Sequence, residues 1–238
     1  MIRRISHRIR KGWAALALLS VEMIVVLAVF VVALIGFIFI TRNVFVLKDE
    51  VFDYKVFTFL EPYVSETRND IVLFFTFLGT HIFLIPANLL LILYFLFIRK
   101  HRWYSIKIPV IALSSLALMI FLKNFFGRQR PDIPLIKEAQ GLSYPSGHAL
   151  MSVTFYGLLI HIVFNTIKIP WLKWTLIVLL LLLILFIGFT RIYLRVHYPS
   201  DVMAGFATGF LWLVTSIWIL KKIEKYSKEK SAQIVAQS

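Results

Sequence analysis

The length of its apolar runs decides most about what this chain can become. From Trp13 to Ile40 a single charged residue, Glu22, interrupts the run. About 20 consecutive apolar residues carry a helix across a ~30 Å hydrocarbon layer. The basic start MIRRISHRIRKGW resembles that of a signal peptide. The run behind it is too long for one and has no convincing cleavage site, so it reads as an anchor kept in the mature protein. Further apolar stretches follow, and we place six spans at 12–41 (apolar from Trp13), 71–98, 105–126, 148–164, 172–190 and 201–220. The third to fifth are short in strictly apolar residues and borrow from their flanks. The expected fold class is all-α: an integral membrane bundle of six transmembrane helices with an outer amphipathic helix, one domain over 1–238. A chain of 238 residues that is 60% hydrophobic is too apolar for a soluble domain. It contains no cysteine, which excludes disulfides and thiolate chemistry.

Six spans put both termini on one side. That side holds the N-terminal arm, the 99–107 and 165–173 loops and the 221–238 tail, with 16 Lys and Arg against two acids, Glu224 and Glu229. The opposite side holds 10 basic and 9 acidic residues, so nearly all of the +14 net charge faces one way. The positive-inside rule makes that side cytoplasmic. The tail KKIEKYSKEK then serves as an orientation signal and a contact for anionic lipid, and nucleic acid is a poor partner.

The longest outer segment, 42–70, repeats Val44, Leu47, Val51, Phe52, Val56, Phe59 and Leu60 at helical spacing, with Lys48, Asp49, Asp53 and Lys55 between them. This predicts an amphipathic helix on the outer membrane surface. It is either a connection packed on the bundle or a lid over a lateral substrate entrance.

Three polar clusters interrupt the apolar pattern. KNFFGRQRP, at 123–131, ends the third span. Lys123 and Arg130 are two helical turns apart, although Gly127 and Pro131 argue that the helix frays between them. Alone, such cations are more often interfacial anchors whose long side chains snorkel. PSGH, at 145–148, opens the fourth span. Pro145 and Gly147 shape a turn, Ser146 is placed to cap the helix, and His148 stands beside the free amides of its first turn, a ready anion site. The plainer reading is an ordinary capped helix start. TRIYLRVHYPSD, at 190–201, joins the fifth and sixth spans. Asp201 lies four residues after His197, within reach of one imidazole nitrogen. Such a bond fixes the tautomer and readies the other nitrogen as base or nucleophile. A bare His-x-x-x-Asp is common by chance. The weight lies in the combination, because the span count brings all three clusters out on the outer face. So much positive potential around two histidines suits a phosphate.

Together these residues resemble the three signatures of the type 2 phosphatidic acid phosphatase family. They are Lys123-x6-Arg130-Pro131, then Pro145-Ser146-Gly147-His148, then Thr190-Arg191-x5-His197-x3-Asp201, with Thr190 where the family usually has serine. The six-span layout is similar to the family's membrane branch, the phosphatidylglycerophosphatase B and undecaprenyl-diphosphatase group, and not to its soluble haloperoxidases. The resemblance implies that His197 attacks phosphorus, Asp201 orients it, and His148 protonates the leaving oxygen and then activates water. It further implies that Lys123, Arg130, Arg191, Ser146 and the Gly147 amide bind the phosphoryl oxygens. No metal and no cofactor are expected; Asp132, Glu138 and Asp201 are scattered and near cations, which suits Mg²⁺ poorly.

The expected activity is hydrolysis of a lipid phosphate monoester or diphosphate at the outer face of a plasma (inner) membrane. The candidate substrates are phosphatidylglycerol phosphate, phosphatidic acid and undecaprenyl diphosphate. The alternatives are a lipid phosphotransferase using the same histidine and a non-enzymatic anionic-lipid transporter. Among the other polar residues, His81 reads as helix packing and a kink in the second span, and His161 as too distant to act. Arg128 and Arg195 read as rim charges for a headgroup, and Gly205 and Gly209 as a helix contact inside the bundle, with a dimer seam as the other reading.

Overall fold

The structure, a computed structural model, describes residues 21–132, 134–136 and 141–237. The basic N-terminal arm, the start of the first span and Glu138 lie outside the described residues. The described part is mainly helical, as lipid requires of its spans, because a helix satisfies its own backbone polar groups where no water can. The α-helices are α1 (Val21–Arg42), α2 (Val51–Leu60), α3 (Glu66–Phe77), α4 (His81–Leu93), α5 (Arg102–Phe126), α6 (Gly147–Thr166), α7 (Pro170–Tyr193) and α8 (Pro199–Gln237). Helix α1 runs on through a π-turn to Leu47, and α4 through another to Ile98. Six of these helices are long and apolar enough to cross a membrane: Met23–Leu47, His81–Ile98, Arg102–Phe126, Gly147–Thr166, Pro170–Tyr193 and Pro199–Ile234. The chain is a multi-pass membrane protein.

Helix α6 is the hub. It packs against α5, α7 and α8, and buries Leu150, Val153, Phe155, Tyr156, Leu158 and Ile162. Its seam with α8 depends on small residues. A Cβ on Gly205 would lie 2.7 Å from the Ser146 carbonyl oxygen, and one on Gly209 would lie 2.8 Å from that of Leu150. The backbones therefore touch, as small-residue contacts allow in lipid. The GFATG stretch packs inside the bundle as expected.

The expected single span over 71–98 is two helices. Helix α3 ends at Phe77, and Thr80 restarts the chain as an extended N-cap whose hydroxyl accepts from the Phe83 amide. Gly79 lies in the break, packed where a Cβ would meet the Ile187 side chain at 2.6 Å. Hydropathy averages over such a break because both flanks are apolar. His81 opens α4 and is exposed. The sixth span also does not stop at 220, since α8 carries the basic tail as continuous helix.

Helix α2 forms within the expected outer segment, but its polar side is misread. Val51, Phe52 and Phe59 are exposed, while Asp53 is 1% exposed and turned inward with Phe57. A carboxylate reaches such a position only when paired and hydrogen-bonded.

Candidate active site

The C-terminal end of α5, the start of α6, the end of α7 and the start of α8 meet at one point. Gly127, at φ +63°, stops α5, and its amide returns to the Lys123 carbonyl. The chain after it folds back over the helix ends. Its segment 141–146 is pinned by three groups of the first cluster. The Lys123 ammonium donates to the Leu142 carbonyl, Arg130 Nε donates to the Gly141 carbonyl at 2.9 Å, and the Ser143 amide donates to the Arg128 carbonyl at 2.8 Å. Tyr144 is fully buried against Phe45 and Phe126, and its hydroxyl hydrogen-bonds to Thr41, which ties α1 to the loop. Lys123 and Arg130 therefore converge, but Arg130 does so from beyond the helix and not from two turns along it.

Ser146 takes the N-cap position of α6 with extended backbone, yet its hydroxyl makes no capping bond. It is buried without a hydrogen-bond partner, as are His148 Nε2, Ser152 Oγ and Arg191 Nε. Buried polar atoms are normally satisfied, so three orphans at the start of α6 and a fourth at the end of α7 point to a polar ligand. Ser152, one turn after His148, carried no signal in the sequence. A Cβ on Gly79 would lie 3.0 Å from the His148 ring and 3.3 Å from Ser152 Oγ, so the break in the second span keeps this space open. Arg191 is held by a bond from its Nη1 to Thr76 Oγ1 at 2.6 Å, an anchor on α3 that no local pattern revealed. Thr190 directs its hydroxyl to the Ile187 carbonyl, so this side chain serves its own helix.

His197 is 1% exposed and sits between two sets of partners. Arg130 Nη1 lies 3.3 Å from its Nε2 and also donates to the Val196 carbonyl at 2.7 Å. On the other edge the expected direct bond to Asp201 is stretched, with Nδ1 3.6 Å from Oδ2. Ser143 bridges the gap. Its hydroxyl donates to Asp201 Oδ2 and lies 3.1 Å from His197 Nδ1. With its one hydrogen given to the carboxylate, Ser143 can only accept from the ring. That assigns the proton to Nδ1 and leaves the Nε2 lone pair facing Arg130, a tautomer inferred from the network. Burial first, then the charges of Arg130, Lys123 and Arg191, holds the imidazole well below its ordinary 6.5. The ring is thus neutral at neutral pH.

Asp201 is completely buried and also accepts from the Tyr198 amide at 2.9 Å and from Arg128 Nη1 at 2.7 Å. Arg128 is not a rim charge. Its side chain is 8% exposed, lies over the Tyr198 ring and joins Asp201 to Asp53, because burial and two carboxylates outcompete any headgroup for its fork. Arg195 pairs instead with exposed Glu61 at 3.6 Å. The Ser146 amide donates to the Asp201 carbonyl at 3.0 Å, which locks the start of α6 to that of α8. Among the described residues no three His, Asp or Glu side chains are grouped to hold a metal ion.

The chain resembles known proteins in sequence and in fold. A family model described as the PAP2 superfamily matches residues 104–225, just over half of the chain and all three clusters. Phosphatidylglycerophosphatase B of Bacillus subtilis is 27% identical over 71% of this chain and 81% of its own. An undecaprenyl-diphosphatase of Sulfolobus acidocaldarius is 26% identical over 74% of this chain and 85% of its own. The crystal structure of a transmembrane PAP2-type phosphatidylglycerolphosphate phosphatase from Bacillus subtilis superposes with a TM-score of 0.73 at 23% identity. It covers 82% of this chain and 96% of that one.

Proposed function

Since the chain belongs to the PAP2 superfamily, we propose that it is a lipid phosphate phosphatase working through a phosphohistidine on His197. The observation that carries the reading is the meeting of all three clusters around one neutral, tautomer-defined imidazole, with unpartnered polar atoms beside it. The relatives' names, a phosphatidylglycerophosphatase and an undecaprenyl-diphosphatase, support an amphiphilic substrate with a terminal phosphate or diphosphate.

In this reaction Lys123, Arg130, Arg191, the Ser146 hydroxyl and the Gly147 amide take the phosphoryl oxygens. His197 Nε2 donates its lone pair to phosphorus while the bond from phosphorus to the lipid oxygen breaks, and His148 gives that oxygen a proton. The Nδ1–H keeps its bond to Ser143, and Asp201 behind it balances the charge that the ring acquires. His148 then takes a proton from water, the water oxygen attacks phosphorus, and the N–P electrons return to Nε2. Phosphoryl transfer asks mainly for in-line positioning and charge stabilisation, which fixed cations supply without a metal.

The site lies at the membrane boundary, so lipid tails can stay in the bilayer while the headgroup meets the cations. The charge asymmetry supports cytoplasmic termini and a site on the outer face of a plasma (inner) membrane. The test is phosphate release from a panel of lipid phosphates in detergent with excess chelator. The unaltered chain releases phosphate and incorporates labelled water, whereas His197→Ala loses roughly four to six orders of magnitude in rate and His148→Ala is similarly impaired. Release that needs a divalent ion, or that survives His197→Ala, overturns the reading; a phosphotransferase would leave the water label out of the product.

A further inference from the structure

Asp53 belongs to a helix outside the three clusters, and nothing in the expected chemistry employs it. Yet it is among the most deeply buried charges in the described structure. Its Oδ1 accepts from the Ser200 amide at 2.8 Å, and its Oδ2 from the Ser200 hydroxyl at 2.6 Å and from Arg128 Nη2 at 2.9 Å. Arg128 Nη1 in turn donates to Ser200 Oγ and to Asp201 Oδ1, each at 2.7 Å. Asp201 Oδ2 accepts from Ser143, which meets His197 Nδ1. An unbroken chain of hydrogen bonds thus runs from the outer helix to the imidazole: Asp53, Arg128, Asp201, Ser143, His197. Aromatic packing reinforces its first link, with Phe57 and Tyr54 of α2 against Tyr198, the ring that also carries the Arg128 guanidinium.

We propose that Asp53 is a positioning residue of the active site, and that α2 is docked by it as a working part of the catalytic unit. The inference rests on the phosphatase reading above. The physical reason lies in the guanidinium. Arg128 presents a planar fork, and each arm has its own carboxylate. With Asp53 in place the fork's plane is set, so Asp201 receives its bond from a fixed direction. Asp53 also clamps Ser200, the residue next to Asp201 at the first turn of α8. Without that carboxylate Nη2 keeps only its longer 3.8 Å contact to Glu50, the Arg128 fork shifts on Asp201 and the Tyr198 ring, and the tilt passes through Ser143 to the nucleophile. The substrate's own partners, Lys123, Arg130 and Arg191, make no bond to Asp53, so binding and chemistry should separate.

The test compares Asp53→Asn, Asp53→Glu and Ser200→Ala with the unaltered chain. It uses a soluble short-chain phosphatidic acid, with kcat and KM determined per folded molecule from the monodisperse detergent fraction. Asp53→Asn lowers kcat about 10- to 100-fold, the scale of a small misplacement at a reacting centre, with KM within about threefold. Asp53→Glu recovers part of the loss. Ser200→Ala, which leaves both buried carboxylates paired with Arg128, lowers kcat in smaller measure at unchanged KM, and it decides the matter if Asp53→Asn does not fold. A folded Asp53→Asn or Ser200→Ala with undiminished kcat overturns the inference alone. If the unaltered chain releases no phosphate, the functional reading falls and the inference with it.

Discussion

At the scale of single residues, the decisive side chain is Ser143. The sequence pairs His197 with Asp201 by spacing, but the two stand 3.6 Å apart and the serine hydroxyl makes both bonds. It therefore sets the tautomer that a nucleophilic Nε2 requires, and it leaves the Asp201 charge one atom removed from the ring. We expect ¹⁵N-histidine NMR to find His197 neutral and protonated at Nδ1 at pH 6, where an ordinary histidine is largely charged. The sign follows from its depressed pKa. Below about pH 6.5 the unfolded chain binds a proton that the folded ring refuses, so stability falls as pH drops from there towards the folded value. Ser143→Ala removes the bridge, mixes the two tautomers and lowers kcat roughly 10- to 100-fold. An unchanged kcat would mean that Asp201 reaches the ring without help.

At the scale of elements, the site depends on how closely α8 approaches α6. The Ser146 amide bonds to the Asp201 carbonyl because Gly205, one turn further along α8, lies against the Ser146 carbonyl. One contact thus joins the second cluster to the third. Gly205→Ala places a Cβ 2.7 Å from that backbone oxygen and 2.9 Å from the Ala149 Cβ, where no flexible side-chain end can yield. The helices must separate. We expect a cost of about 1–3 kcal/mol in stability and a loss of phosphate release larger than the change in melting temperature alone explains. Activity assays alongside thermal unfolding in detergent check this. The break between α3 and α4 works in the same way. It brings Thr76 to Arg191 and leaves Gly79 beside His148, so the interruption of an apolar run serves the site.

At the scale of the whole molecule, the bundle has two unlike ends. One gathers the three clusters with His148 and His197. The other holds the part-buried Lys107–Glu224 pair at 2.6 Å and the basic continuation of α8. Helix α8 has 39 residues and so is about 58 Å long, roughly twice the hydrocarbon thickness and more than one crossing needs. The orientation inferred from charge predicts which end faces the cytoplasm. Because the chain has no cysteine, single replacements can report it. In intact cells Thr58→Cys on α2 reacts with a membrane-impermeant maleimide, while Lys225→Cys on α8 reacts only after permeabilisation. The reverse pattern would put the site on the cytoplasmic face.

The sequence by itself determined the membrane class, six spans, the charge asymmetry and the eight residues of the three clusters. Each is written locally, in composition, in helical spacing or in a short motif. Its errors at the site share one cause. Asp53, Arg128, Ser143 and Thr76 owe their surroundings to residues far along the chain; Asp53 meets Ser200 across 147 positions. Whether a carboxylate between apolar neighbours faces water or a buried guanidinium depends on which helix packs over it. Hydropathy assigns such a residue by its neighbours in sequence, whereas its energy is set by its neighbours in space. The tertiary structure alone decided that α2 turns a charge inward to Arg128, and that the link between His197 and Asp201 passes through Ser143.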